Sequence, residues 1–253
     1  LAVVKTKPGR GVKIVEMETP RISDDEILVE IKACGICGSD VNIYLWNEQM
    51  ATMLTPNLPV VLGHELSGQV AALGSRVQGF KVGDRVAVEP FVTCGHCSFC
   101  ETGRSNLCED RKVLCLERPG GMANFMTAPT SCLYKLPETV SYAEGALLET
   151  LGVGMHALER MPVFPGNSVA VLGAGPVGLL LLQILKANGA SPIIATGTSR
   201  SLRRLDLAKK LGADATIVVN RDDVPARIME ITNGRSVDQV FEAAGTGSAL
   251  AQA

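Results

Sequence analysis

Four cysteines crowd into the sixteen residues "TCGHCSFCETGRSNLC", positions 93 to 108 of a 253-residue chain that holds eight in all. Cys94, Cys97 and Cys100 follow one another at C-x2-C-x2-C spacing, and Cys108 comes after seven more residues. With Gly95, Gly103 and small or polar residues between them, such thiolates can curl around one tetrahedral ion. Four sulfurs suit zinc. Disulfides or free buried thiols account less well for spacing this regular, which also speaks for a reducing cytoplasm rather than a secreted disulfide framework. A site closed by four cysteines leaves no coordination position for a substrate. The cluster is therefore scaffold, and the chemistry must lie elsewhere.

A sparser set of ligands meets that need. "ACGICGSD" (33 to 40) places Cys37 in a glycine-flanked turn, and "LGHELSG" (62 to 68) places His64 and Glu65 between two apolar runs that read as strands. A thiolate, an imidazole and a carboxylate leave room on a metal for water or substrate, the pattern of a catalytic site. Taken singly, a cysteine or histidine is more often a core residue. His64, however, is one of only three histidines and adjoins an acid.

Charge directs attention to small molecules. The 24 basic and 26 acidic side chains leave a net charge of −2, with no basic face for nucleic acid. The most apolar stretch, Val169 to Leu185, is broken by Gly173, Gly175, Pro176 and Gly178, so no membrane span is expected. No signal peptide is read either.

That same stretch opens the second half. "SVAVLGAGPVGLLLLQILKANGA" (168 to 190) reads as a β-branched strand, a G-x-G-x-x-G turn and a helix closed by Asn188-Gly189. Gly173, Gly175 and Gly178, with Pro176 and Val177 between them, would let backbone N–H groups approach a pyrophosphate at the helix N-terminus. Strands at 192 to 198, 215 to 220 and 237 to 245 alternate with helices at 201 to 211 and 224 to 232. This alternation predicts a doubly wound parallel sheet. An NAD site places an acid near the end of the second strand to take the ribose 2′-OH. Here no acid occurs between Gly173 and Asp206; Ser199, Arg200, Arg203 and Arg204 cluster instead. Serine and guanidinium groups bind a 2′-phosphate that a carboxylate would repel, so NADP rather than NAD is expected, with at least one of Arg203 and Arg204 on a solvated helix face.

The motifs "GICGSD", "GHE", "FKVGDRVAVEP", "CGHCSFCETGRSNLC", "ETLGVGMHA" and "GAGPVG" together resemble the zinc-containing medium-chain dehydrogenases and reductases of the alcohol dehydrogenase superfamily, close to the sorbitol (polyol) and L-threonine dehydrogenases. The resemblance implies an α/β chain: a GroES-like β-rich catalytic domain over 1 to 152, then a Rossmann domain over 153 to 253. It implies two zinc ions per chain, catalytic and structural, a nicotinamide cofactor, and a homo-oligomer, dimer or tetramer. Glu149 matches the glutamate of the polyol enzymes' "EPL" segment, at the zinc directly or through water, although Thr150 stands where proline is usual. Ser39 would pass the substrate's hydroxyl proton outward, and Asp40 would buttress His64. Many relatives carry a histidine two residues beyond that aspartate; Asn42 stands here and cannot accept a proton.

The activity implied is hydride transfer between a secondary alcohol or polyol and the nicotinamide, with L-threonine as the second choice of substrate and Tyr44 or Trp46 as pocket candidates. A zinc-stabilised nucleotide-binding protein without catalysis is the competing class, which the presence of Cys37, Ser39, His64 and Glu65 opposes. Only four Rossmann strands are read where the template has six, so an incomplete second domain, even an inactive fragment, is also expected.

Overall fold

The run "EILVEIKAC" is rich in apolar and β-branched residues, and Glu26–Cys34 forms a nine-residue strand that buries Ile27 and Val29 on one face. The computed structural model describes all residues from Leu1 to Ala253, in two compact units, Leu1–Glu149 and Thr150–Ala253.

In the first unit this strand is the fourth of a five-stranded antiparallel sheet, in the spatial order Leu133–Lys135, Arg85–Val88, Leu66–Leu73, Glu26–Cys34, Phe125–Pro129. The core beneath it gathers Ile27, Val29, Leu66, Val70, Val86 and Val88. A smaller sheet joins Lys13–Val15, Ala2–Lys5 and Val60–Val61. The four-cysteine segment is an excursion from a two-stranded base in which Phe91–Val92 pairs with Lys112–Val113.

One register decides what the first unit can do. Glu26–Cys34 runs antiparallel to Leu66–Leu73, with shifts between Leu28 and Val29 and between Ile31 and Ala33, and ends on the pair Cys34 with Leu66. Antiparallel pairing sets the exit of one strand beside the entrance of the other. The chain leaving toward Cys37 therefore passes His64 and Glu65 as they arrive, and Gly35 N extends the ladder by donating to Glu65 O at 2.8 Å.

The second unit is a four-stranded, all-parallel sheet in the order Ala215–Val218, Ile193–Gly197, Val169–Leu172, Gln239–Glu242. Helices Pro176–Ala187, Leu202–Leu211 and Val224–Ile231 connect the strands. Val169 and Val171 face one core, with Leu181, Leu185 and Ile193; Ala170 and Leu172 face the other, with Ile194, Ile217 and Ile228. A strand buried on both faces reads as a continuous apolar run, which is why "VAVL" shows no alternation. The expected doubly wound sheet is present, its strands and helices ending where the sequence reading put them or up to three residues inside. Strand order reverses between Val169–Leu172 and Gln239–Glu242, and ligands of such sheets bind outside the strand ends at that point.

Close packing there explains two of the three glycines. Gly173 takes φ 113°, and a Cβ on it would lie 2.8 Å from Ala244 N; a Cβ on Gly178 would lie 1.9 Å from Gly173 O. Around Gly175 nothing lies within 4 Å of such an atom. Gly178→Ala should therefore destabilise the unit by about 1–3 kcal/mol or more in urea unfolding, since backbone must move. Gly175→Ala should leave stability nearly unchanged and weaken dinucleotide binding, measured by titration.

Candidate functional site

The helix Gly38–Leu45 starts where the strand Glu26–Cys34 ends, and Cys37 is its N-cap. Asp40 closes the cap, accepting from Cys37 N at 2.9 Å through Oδ2 and from Gly63 N at 3.2 Å through Oδ1. Buried and doubly bonded, this carboxylate ties the loop of Cys37 to that of His64. It lies beside His64 but takes its hydrogen bonds from the two amides rather than from the imidazole. Gly63, at φ 89°, turns the chain into His64.

Cys37, His64 and Glu65 bring their ligand atoms within 4.8 Å of one another, with Glu65 buried. That separation suits a shared ion with bonds of about 2.0–2.3 Å. Burial opposes charge on His64, yet the hydrogen bonds its ring donates to the sulfurs of Cys115 and Cys37 outweigh it and push its pKa up to about 11. The same contact with His64 draws the Cys37 thiol below its ordinary value, against burial. A metal held there would take His64 as the neutral imidazole, in place of the proton that the two sulfurs otherwise stabilise. Burial raises the Glu149 carboxyl, with His64 opposing and Glu65 adding to the effect, which places this glutamate within electrostatic reach of the pair.

Ser39 stands next to this group. Its proximity favours the Cys37 thiolate, but its Oγ is buried and finds no partner in good hydrogen-bond geometry. Such an atom is costly unless a ligand completes it. Asn42 is exposed on the helix; Trp46 is half-buried under Lys5, whose Nζ lies 4.6 Å from the ring centroid, and Tyr44 is exposed beside Arg10.

Close packing also defines Gly35. A Cβ there would lie 2.1 Å from Glu65 Oε2. Gly35→Ala is expected to displace that carboxylate at a modest cost in stability, because the closest obstacle is the end of a side chain, although the Glu65 Cβ at 3.0 Å must also give by a few tenths of an ångström. Zinc affinity at this centre should fall about tenfold or more while the four-cysteine centre keeps its ion, as chelator competition would show.

The four cysteines also converge. Cys94, Cys97, Cys100 and Cys108 place their sulfurs within 4.8 Å of one another, with Cys97 to Cys100 at 3.6 Å and Cys94 to Cys100 at 4.0 Å. A regular tetrahedron with zinc–sulfur bonds of about 2.3 Å has edges of about 3.8 Å. The amides of Cys100 and Glu109 pull the Cys97 thiol down to about 6, while lost solvation pushes Cys100 up to about 12. All eight cysteines are free of disulfides.

In the second unit Pro176 is the first residue of its helix, so Val177 and Gly178 supply the first N–H groups, which no carbonyl of the helix reaches. Beyond Ile193–Gly197, Ser199 N donates to Asn220 Oδ1 at 2.7 Å and Asn220 Nδ2 donates to Ser199 Oγ at 2.8 Å. The Ser199 hydroxyl proton remains free to donate. Arg200, Arg203 and Arg204 are exposed.

Two residues of consequence escaped the sequence reading. Asn220 had a signal: it lies just past the third strand, Ala215–Val218, whose exit adjoins that of the second in this strand order. Cys115 had none, being 51 residues from the His64 it touches.

Comparison with known proteins agrees with both halves. Residues 23–138 match the alcohol dehydrogenase GroES-like domain and residues 176–253 the zinc-binding dehydrogenase family. Sorbitol dehydrogenase of Bacillus subtilis (strain 168) is 42% identical over 245 residues, covering 96% of this chain and 68% of that protein. The chain belongs to the zinc-binding medium-chain dehydrogenases. Within this family, L-threonine 3-dehydrogenase of Pyrococcus horikoshii is 38% identical over 252 residues, with 100% of this chain and 71% of the relative covered. The crystal structure of 2R,3R-butanediol dehydrogenase from Bacillus subtilis superposes with a TM-score of 0.85 at 36% identity, covering 100% and 72% of the two chains. No helix of this dehydrogenase is long and apolar enough to cross a membrane.

Proposed function

We propose that the protein oxidises a secondary hydroxyl of a polyol, with NADP as hydride acceptor, using zinc held by Cys37, His64 and Glu65. One observation carries this reading: a thiolate, an imidazole and a buried carboxylate meet within 4.8 Å beside a buried serine oxygen without a partner. Zinc bound there supplies Lewis acidity toward a hydroxyl oxygen. Oxidised nicotinamide, when bound, accepts the hydride.

The chain's own groups do the rest. Ser39 Oγ takes a hydrogen bond from the substrate hydroxyl and passes its proton outward. Asn42 cannot continue that path, so the proton leaves to solvent. Glu149, whose carboxyl pKa is raised by burial and which lies within electrostatic reach of His64 and Glu65, would exchange with Glu65 as ligand or hold a water there. Cys94, Cys97, Cys100 and Cys108 hold a second, structural zinc. Gly175, Val177 and Gly178 receive the pyrophosphate, and Ser199 and Arg200, with Arg204 on the following helix, receive the 2′-phosphate.

The cofactor reading has its own check. A charge-assisted hydrogen bond contributes about 1.5–3 kcal/mol, so Arg200→Ala should lower kcat/KM for NADP roughly tenfold to a hundredfold and leave NAD little changed. Ser199→Asp, by repelling the phosphate, should invert the preference. The whole reading is tested by a spectrophotometric screen of polyols, 2,3-butanediol and L-threonine against both cofactors. Turnover of polyols with NADP supports it, and turnover of threonine alone, or a clear preference for NAD, overturns the corresponding part.

A further inference from the structure

Cys115 sits on a tight loop after the strand Lys112–Val113, where its N–H donates to Arg118 O at 2.8 Å. It is 2% exposed and packs with Ile43, Leu54 and Leu62. Its backbone lies at φ 62°, in the left-handed region that a non-glycine residue adopts only at a cost. Glycine would suit this loop better. The side chain must therefore contribute something the backbone does not need, and its sulfur reaches a single polar group at hydrogen-bond distance, His64 Nδ1 at 3.3 Å.

A histidine that binds a metal through one nitrogen is oriented by a partner on the other. Asp40, whose carboxylate also lies within 4.8 Å of the His64 ring and the Cys115 sulfur, accepts from the amides of Cys37 and Gly63 and makes no hydrogen bond to the imidazole. We propose that Cys115 is the positioning residue of the catalytic centre: its sulfur accepts from His64 Nδ1–H, fixes the tautomer, and leaves Nε2 to face Cys37 and Glu65. The inference rests on the reading that those three residues hold the catalytic zinc. It assigns to a thiol the task that the family resemblance implied for Asp40, while Asp40 shapes the two loops that carry the ligands.

The test uses the full chain loaded with zinc and titrated with a competing chromogenic chelator. Cys115→Gly removes the sulfur and relieves the backbone. It should weaken one of two zinc ions about ten- to a hundredfold, while the thermal midpoint of the zinc-free protein stays the same or rises. Cys115→Ser, whose hydroxyl also accepts, should hold both ions within a few-fold of the wild type. Cys115→Ala, read in the same way as the glycine variant, serves if that variant does not fold.

Unchanged affinity in the glycine and alanine variants would show that Cys115 merely fills the loop and overturn the inference. So would a cobalt-substituted Cys115→Gly protein that loses one thiolate's share of the sulfur-to-metal charge-transfer band, because Cys115 would then be a ligand. A wild-type chain that binds only one zinc would overturn the underlying reading as well, and is distinguished by the stoichiometry alone.

Discussion

Cys37→Ser is expected to lower kcat/KM for the alcohol about a thousandfold, because the Lewis acid at stake supplies several kcal/mol and each 1.36 kcal/mol is a factor of ten. Serine's hydroxyl does not ionise near neutral pH, so the set loses the thiolate that His64 stabilises. Stability should barely change. The cap of Gly38–Leu45 keeps the backbone N–H of residue 37 donating to Asp40, and the serine hydroxyl can accept from the Asp40 backbone N–H in place of the sulfur. Zinc content should fall from two ions per chain to one, with the four-cysteine centre untouched. Kinetics and metal analysis on the same preparation separate these outcomes, and a variant within tenfold of wild-type activity would remove Cys37 from the chemistry.

Stripping the four-cysteine centre should have a different signature. Between Cys94 and Cys108 the chain has only the four-residue helix Ser98–Glu101 and a 3-10 turn at Ser105–Leu107, and only Cys108 is buried. So little apolar burial cannot hold a loop against its conformational entropy. Structural zinc, whose apparent binding free energy reaches about 10–16 kcal/mol in small zinc domains, would supply the missing order. A strong chelator should therefore raise hydrogen exchange across 94–108 about a hundredfold or more and open Arg104 to trypsin. Protection of Ile27, Val29 and Val70, deep in the five-stranded sheet, should persist. Global unfolding of the first unit would mean that the lobe supports the sheet; unchanged exchange would mean that it needs no ion.

The parts of this molecule legible in its sequence are those made by residues close together in the chain. C-x2-C-x2-C spacing and the turn from Gly173 to Gly178 are local patterns, and the structure realises both within a few turns of backbone. The β-α alternation of the second half is equally local and predicts the parallel sheet, but the return of Gln239–Glu242 across the sheet to the far side of Val169–Leu172 is a topological switch that no local pattern encodes. Cys37, His64 and Glu65 were recognisable by type, but their meeting is decided by the register that pairs Cys34 with Leu66 after two shifts, and nothing in the spacing from 37 to 64 encodes it. Asp40 shows the same limit. Its residue type suits a histidine partner, yet a helix N-cap three residues earlier claims one oxygen and Gly63 the other. Cys115 was beyond reach for a third reason: its strained backbone and its contact with His64 exist only in the folded loop.

Anomalous scattering at the zinc edge, recorded on crystals of the protein as purified, tests the central claim most directly. Two peaks per chain are predicted, one enclosed by Cys94, Cys97, Cys100 and Cys108 and the other within bonding distance of Cys37, His64 and Glu65. A single peak at the four cysteines, with Cys37 and His64 turned from each other, would contradict it.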